Sequence, residues 1–160
     1  MNNWSVRESL ELYGVDKWGK EFFSIGAKGH IEVRPHGPTG PTFDLLEMLE
    51  DLRGRGLRTP MLIRFSDILA SRISGLSEAF AHAINQYEYK GIFRGVYPIK
   101  VNQQRHVVEE IVAFGSPWGV GLEAGSKPEL LIALAELDRS DSFIICNGYK
   151  DRTYIETALL

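Results

Sequence analysis

Residues 94–130 read RGVYPIKVNQQRHVVEEIVAFGSPWGVGLEAGSKPEL, and this stretch decides the fold. It opens on a short apolar run over 94–99 that predicts a strand, and it continues into apolar residues at helical spacing over about 104–114. A second apolar run over 119–123 leads to another helix, whose start is marked by the capping-box spacing of Ser126 and Glu129. Two strands separated by a helix indicate a parallel pair with a right-handed crossover.

The same alternation extends outward from this stretch. A strand is predicted over 61–65 before a long helix over about 67–90, and a strand over 142–146 precedes a helix that starts near 151. The chain therefore holds four strand–helix units, beginning near residues 61, 94, 119 and 142, with an additional helix over 44–53 before them. Two architectures fit this α/β pattern, an open doubly wound sheet and half of a (β/α)8 barrel, which needs about 250 residues when complete.

The first 41 residues follow a different pattern. A short helix is predicted within 4–18, ending near Gly14, and two β-like runs over 22–25 and 30–33 flank Gly26-Ala-Lys-Gly29, which is typical of a hairpin. Residues 34–41, RPHGPTGP, hold too much proline and glycine for the interior of a helix or strand. We therefore expect an N-terminal segment over 1–41, with a hairpin and a linker, and a partial β/α domain over 42–160.

Composition narrows the class of protein. The 160 residues are 44% hydrophobic and 24% charged, as in ordinary globular domains, and the net charge of −3 provides no basic field for nucleic acid. No apolar run reaches the roughly 20 residues of a membrane span, and the opening MNNWSVRE does not resemble a signal peptide. With one cysteine, Cys146, these features predict a cytoplasmic protein that binds neither nucleic acid nor membrane.

Lys100 is the strongest candidate for chemistry. It follows an apolar strand at its carboxyl end, where both candidate architectures bind their ligands. A partly desolvated amine at such a position is a nucleophile toward carbonyl compounds. A single lysine after a strand is usually just solvated, but the rigid Tyr97-Pro98 before it and the polar Asn102 and glutamines after it favour a site.

Two further segments follow strands in the same way. Glu123 lies at the end of the next strand, before small residues and a capped helix start, although Gly-x-Gly before a helix alone indicates only a tight turn. Cys146-Asn-Gly-Tyr-Lys-Asp151 follows the last strand, where the cysteine is typical of a buried apolar side chain and Asn147-Gly148 of a turn. The four histidines show no metal-ligand spacing and receive no role, and Arg34 and Arg64 are no stronger as anion ligands than other surface arginines.

Taken together, these segments carry a family resemblance. Tyr97-Pro-Ile-Lys-Val-Asn102, Gly121-Leu-Glu-Ala-Gly-Ser-Lys-Pro-Glu-Leu130 and Cys146–Asp151, in this order and spacing, resemble the biosynthetic arginine decarboxylases of bacteria and plants. The opening Leu12-Tyr-Gly-Val-Asp-Lys-Trp-Gly19 and Ile31-Glu-Val-Arg-Pro35 also resemble that family. The resemblance covers nearly the whole chain. It implies the first half of a pyridoxal-phosphate-binding (β/α)8 TIM-like barrel, preceded by a short N-terminal segment that joins a β domain.

The resemblance also implies an activity. Lys100 would carry pyridoxal 5'-phosphate as a Schiff base, Glu123 would line the cofactor pocket, and L-arginine would be converted to agmatine and CO2 in the first step of polyamine biosynthesis. The family is associated with Mg2+ and with a site shared between subunits of a homo-oligomer. Two alternatives stay open: a pyridoxal-phosphate-binding carrier or regulator of the same barrel class, and a related ornithine, lysine or diaminopimelate decarboxylase.

The last ten residues, 151–160, predict an amphipathic helix without the glycine, basic last turn or polar tail that usually closes one. We therefore expect a truncated chain. The resemblance implies that it stops within the barrel and is inactive alone, with the residues for the cofactor phosphate and pyridine nitrogen beyond Leu160.

Overall fold

The computed structural model of the chain describes residues 4–137 and 142–159. Within them, the helices are α1 (Val6–Tyr13), α2 (Val15–Trp18), α3 (Leu45–Gly54), α4 (Ser66–Gln86), α5 (Arg105–Gly115), α6 (Lys127–Glu136) and α7 (Arg152–Ala158). The strands are β1 (Phe23–Ile25), β2 (Ile31–Val33), β3 (Phe43–Asp44), β4 (Val96–Pro98), β5 (Gly121–Ala124) and β6 (Ile144–Cys146). The chain divides into two units, Met1–Ile68 and Leu69–Leu160. In the described ranges, no helix has the length and apolarity to cross a membrane.

A parallel sheet in the order β4-β5-β6 organises the second unit. Pro98 is the register partner of Glu123, and Ala124 is the partner of Cys146, so the carboxyl ends of the three strands lie at one edge. Helix α5 connects β4 to β5, and α6 lies between β5 and β6 in the chain. The predicted parallel pairing over residues 94–146 is confirmed.

The core of this unit lies between the sheet and its helices. The main cluster of fully buried side chains comprises Ile99, Val108, Leu122 and Ala133. A neighbouring cluster of Val107, Ile111 and Val120 is packed against Leu69 and Ile73 of α4. The buried valines and isoleucine of α5 recur every three or four positions, which places them on one face of the helix. This face forms an apolar stripe that packs into the core.

The first unit contains an antiparallel sheet. Phe23 pairs with Val33 and Ile25 with Ile31, which confirms the predicted hairpin, and Gly14 ends α1 with a left-handed φ of 57°. The two-residue strand β3 adds to β2 and was not predicted, because so short a run shows no alternation. The predicted boundary between residues 41 and 42 stays a prediction.

One predicted element is wrong. Residues 61–65, expected to form the first parallel strand, form no strand in the structure as described. A strand exists only where a neighbouring backbone accepts and donates its hydrogen bonds, and the described sheet ends at β4. The helix expected over 67–90 is also shorter, since α4 ends at Gln86.

Truncating the centre of the core tests the importance of this packing. Leu122→Ala removes a fully buried side chain from β5, and we expect it to lower the free energy of unfolding by about 2–5 kcal/mol. Leu131→Ala, at a leucine of α6 that is 59% exposed, is the matched control and should change it little. Urea unfolding curves would contradict this account of the core if the two variants lost equal stability.

Candidate functional site

Three polar side chains meet at the carboxyl edge of the parallel sheet. Lys100 lies in a 3-10 turn, Ile99–Val101, directly after β4. Glu123 is the third residue of β5, and Asn147 directly follows β6. Parallel strands in register bring these positions together although they are 23 and 24 residues apart in the chain.

One carboxylate oxygen receives two hydrogen bonds. Lys100 Nζ donates to Glu123 Oε1 at 3.0 Å, and Asn147 Nδ2 donates to the same oxygen at 3.2 Å. The Glu123 side chain is only 17% exposed, whereas that of Lys100 is 60% exposed. The site therefore presents an accessible amine beside a largely covered acceptor, and it brings together both residues that the sequence singled out.

The two donors also set the charge of Glu123. The hydrogen bonds from Lys100 and then Asn147 lower the pKa of this carboxyl below its ordinary value, and they outweigh burial, which raises it. Glu123 is therefore an anion at neutral pH. Its carboxylate accepts the hydrogen bond from Lys100 Nζ and so holds that amine at the edge of the sheet.

The turn that holds Lys100 is fixed at both ends. Ile99 is fully buried in the core, and the Tyr97 hydroxyl donates to the Asn102 carbonyl at 3.1 Å. The Asn102 side chain accepts the Gln104 amide at 3.0 Å, immediately before α5. The polar residues predicted around the lysine thus shape its turn.

The turn after β5 is closed by a capping interaction. Ser126 Oγ accepts the Glu129 amide at 3.4 Å, as predicted from the spacing. The Glu129 carboxylate reaches back to the Gly125 amide at 2.8 Å and accepts the Ser126 hydroxyl at 3.0 Å. The interaction extends one residue further back than in a standard capping box and anchors the residues that follow Glu123.

The turn after β6 is packed against the turn after β5. The backbone N–H of Asn147 donates to the Ala124 carbonyl at 2.9 Å. Gly148 has a φ of 74°, and a Cβ at this position would lie 2.6 Å from the Gly125 carbonyl oxygen, so only glycine fits. The predicted turn at Asn147-Gly148 is present, but the sequence interpretation missed that Asn147 contacts Glu123. Its position after a third parallel strand was the available signal.

A buried tyrosine supports the same edge. The Tyr154 hydroxyl donates to the Ala124 carbonyl at 2.7 Å, and the ring packs with Ala124, Leu130 and the half-buried Cys146. Burial, with the nearby Cys146, raises the pKa of Tyr154 to about 12, so its hydroxyl stays a donor. Cys146 contributes to apolar packing, as the sequence indicated. Nearby, Lys127 Nζ pairs with Asp151 at 2.6 Å.

The first unit holds a histidine–carboxylate pair that the sequence did not reveal. His30 Nδ1 lies 2.8 Å from Asp44 Oδ2, and Asp44 also accepts the Leu46 and Glu47 amides at the start of α3. Burial raises the pKa of Asp44, but the hydrogen bonds together lower it by more, so the net shift of the pKa is downward. The 14-residue separation of the pair left no local spacing to recognise. In the same unit, Arg34 Nε is buried and has no hydrogen-bond partner among the described residues.

Comparisons with known proteins identify relatives. A family described as "Pyridoxal-dependent decarboxylase, pyridoxal binding domain" matches residues 74–160. The chain is 58% identical to the biosynthetic arginine decarboxylase of Gloeobacter violaceus, over all of this chain and 25% of that protein. It is 57% identical to that of Parasynechococcus marenigrum, over 98% of this chain and 24% of that protein.

A solved structure has the same fold. The biosynthetic arginine decarboxylase SpeA from Campylobacter jejuni matches with a TM-score of 0.80 and 37% identity, over 90% of this chain and 24% of that one. The likeness confirms the predicted fold class, part of a (β/α)8 barrel, over an open doubly wound sheet. The chain spans about a quarter of the length of the relatives it matches.

The pKa of Glu123 makes a testable contribution to stability. A carboxyl whose pKa is lower in the folded than in the unfolded protein stabilises the fold when the pH is above its ordinary pKa of 4.5. This contribution is lost as the pH falls through the pKa of the folded state. We therefore expect wild type to be more stable than Glu123→Gln at pH 6, and the difference to shrink below about pH 4.5. Unfolding curves between pH 3 and 7 measure it, with Glu78→Gln on α4 as control. A difference that is independent of pH would contradict the electrostatic account.

Proposed function

The chain belongs to the pyridoxal-dependent decarboxylase family, and on this premise we propose that it is the part of an arginine decarboxylase that holds pyridoxal phosphate through Lys100. The observation that carries the proposal is the accessible Lys100 amine at the carboxyl edge of the sheet, 3.0 Å from the Glu123 carboxylate. Ligands of β/α barrels bind at this edge.

The residues present fit such a cofactor. Pyridoxal phosphate carries an aldehyde, and an aldehyde needs a primary amine that solvent and ligand can reach, as Lys100 provides. When bound, this cofactor supplies the electron sink that stabilises the carbanion left after a carboxylate departs as carbon dioxide. Within this chain, Lys100 is therefore the proposed attachment residue and Glu123 a proposed residue of the cofactor pocket.

Glu123 prepares Lys100 for this role. Its Oε1 accepts a hydrogen bond from Lys100 Nζ and holds the amine at the edge of the sheet. Because Glu123 is anionic at neutral pH, its charge reinforces this hydrogen bond to the Lys100 side chain. The fully buried Ile99, Leu122 and Ala124 exclude water from the strands that carry both groups.

The proposed reaction is the conversion of L-arginine to agmatine and carbon dioxide. Its support is that curated relatives 52–58% identical across nearly the whole chain are named biosynthetic arginine decarboxylase. Because those relatives are about four times as long, the activity is proposed for the full-length gene product that carries this sequence.

The relatives' name supports a wider proposal, namely that this reaction is the first step of polyamine biosynthesis. The cytoplasmic location and the homo-oligomer expected from the sequence and the resemblance stay predictions. The Mg2+ that the family resemblance implies stays a prediction. In the two described ranges, no group of three or more histidine, cysteine, aspartate and glutamate residues could hold a metal ion.

Borohydride reduction tests the attachment residue. Full-length protein incubated with pyridoxal phosphate and reduced with borohydride should carry the cofactor on Lys100, as read by mass spectrometry of its peptides. Lys100→Ala should lose the label, because no amine remains at this position, whereas the exposed control Lys90→Ala should keep it. A stable label on another lysine in wild type, or an unchanged label in Lys100→Ala, would overturn the assignment.

Turnover measurements test the substrate. The full-length protein should release CO2 and agmatine from L-arginine, with kcat/KM about 100-fold or more above that for ornithine, lysine or diaminopimelate, because a site that hydrogen-bonds a guanidinium rejects amines that leave it unpaired. A higher kcat/KM for ornithine, lysine or diaminopimelate than for L-arginine would overturn arginine as the proposed substrate. Cofactor binding without any CO2 release would instead indicate a carrier or regulatory protein.

A further inference from the structure

We propose that Asn147 is a positioning residue that holds the Glu123 carboxylate in place independently of Lys100. The inference rests on the proposed function, because it concerns the site that Lys100 and Glu123 form. Its starting point is that Asn147 Nδ2 and Lys100 Nζ donate to the same atom, Glu123 Oε1, at 3.2 Å and 3.0 Å.

The orientation of the Asn147 amide follows from its surroundings. Its Oδ1 accepts the backbone N–H of Gly148 at 2.8 Å. A carbonyl oxygen accepts and an amide nitrogen donates, so this bond assigns Oδ1 to the turn and leaves Nδ2 as the group that faces Glu123. The contact is thus a donor–acceptor pair of defined polarity.

The backbone that carries Asn147 is held on two sides. Its own amide donates to the Ala124 carbonyl at 2.9 Å, one residue beyond Glu123 in β5. Lys150 Nζ donates to the Gly148 carbonyl at 2.9 Å, and Gly148 lies directly against Gly125. Asn147 is therefore supported by the strand whose carboxylate it contacts.

The two partners of Glu123 differ in kind. Lys100 is charged, 60% exposed and the proposed point of cofactor attachment, so its nitrogen cannot be a permanent partner of the carboxylate. Asn147 is neutral and does not ionise at any pH at which the protein is folded. Its amide is the partner that stays, and it keeps Glu123 at the edge of the sheet whatever Lys100 binds.

Asn147→Asp isolates this role. The substitution keeps an oxygen that can accept the Gly148 amide, so the turn is preserved, and it replaces the donor that faces Glu123 with a carboxylate oxygen. Asn147→Ala removes the donor without adding charge. Asn85→Asp, on the exposed part of α4, adds the same charge elsewhere and is the matched control.

The direct readout is the titration of Glu123 by 13C NMR in full-length protein labelled at the glutamate carboxyl carbon, with its signal assigned through Glu123→Gln. Without cofactor, we expect the titration midpoint to move to higher pH by about 0.5 to 1 in Asn147→Ala and further in Asn147→Asp. The same movement is expected in a Lys100→Ala background, where Asn147 would act without the lysine. Midpoints equal to those of Asn85→Asp would overturn the inference.

The second readout is the affinity for pyridoxal phosphate, measured by absorbance. Loss of one hydrogen bond to a charged group should raise the Kd about tenfold in both Asn147 variants and leave it unchanged in Asn85→Asp. Unchanged affinity together with an unchanged Glu123 midpoint would overturn the role of Asn147. Wild type that binds no pyridoxal phosphate would overturn the proposed function instead, while the carboxyl titration would still decide whether Asn147 positions Glu123.

Discussion

Parallel pairing of β4, β5 and β6 is the constraint on which the site depends. The register places Pro98 beside Glu123 and Ala124 beside Cys146, so the residues that follow each strand emerge at one edge. Lys100, Glu123 and Asn147 meet there although they lie far apart in the chain. A shift of one residue in β5 would turn the Glu123 side chain to the opposite face of the sheet, because side chains alternate along a strand.

The turns beyond the strands preserve that arrangement. The Ala124 carbonyl accepts hydrogen bonds from the backbone N–H of Asn147 and from the Tyr154 hydroxyl. These two bonds connect the ends of β5 and β6 to α7. Glu129 closes the turn after β5 through the Gly125 amide. Fixed backbone on both sides of Glu123 allows a carboxylate to stay largely covered while the neighbouring amine stays accessible.

Much of this arrangement could be predicted from the sequence, and the reasons differ by element. The stripe on α5, the cap at Ser126 and the hairpin at β1 and β2 follow from local spacing, and the structure has all three. Lys100 and Glu123 were recognised because each follows an apolar run. The strand expected over 61–65 did not form, since apolar character alone supplies no partner for its hydrogen bonds.

What the sequence left open depends on contacts between distant residues. The pairs Asn147–Glu123 and His30–Asp44 join residues 24 and 14 positions apart, and no periodicity links their members. In the sequence, Asn147-Gly148 is typical of an ordinary turn. The side-chain amide of Asn147 reaches Glu123 only because β5 lies beside β6 in the sheet. Such roles emerge from strand order, which local sequence patterns do not specify.

The central claim is that this edge of the sheet is where the cofactor is attached, and a crystal structure of the full-length gene product grown with pyridoxal phosphate tests it most directly. We expect continuous electron density between Lys100 Nζ and the cofactor, with the Glu123 carboxylate still in contact with Asn147. Density that joins the cofactor to a different lysine, or cofactor bound away from the ends of β4, β5 and β6, would contradict the account.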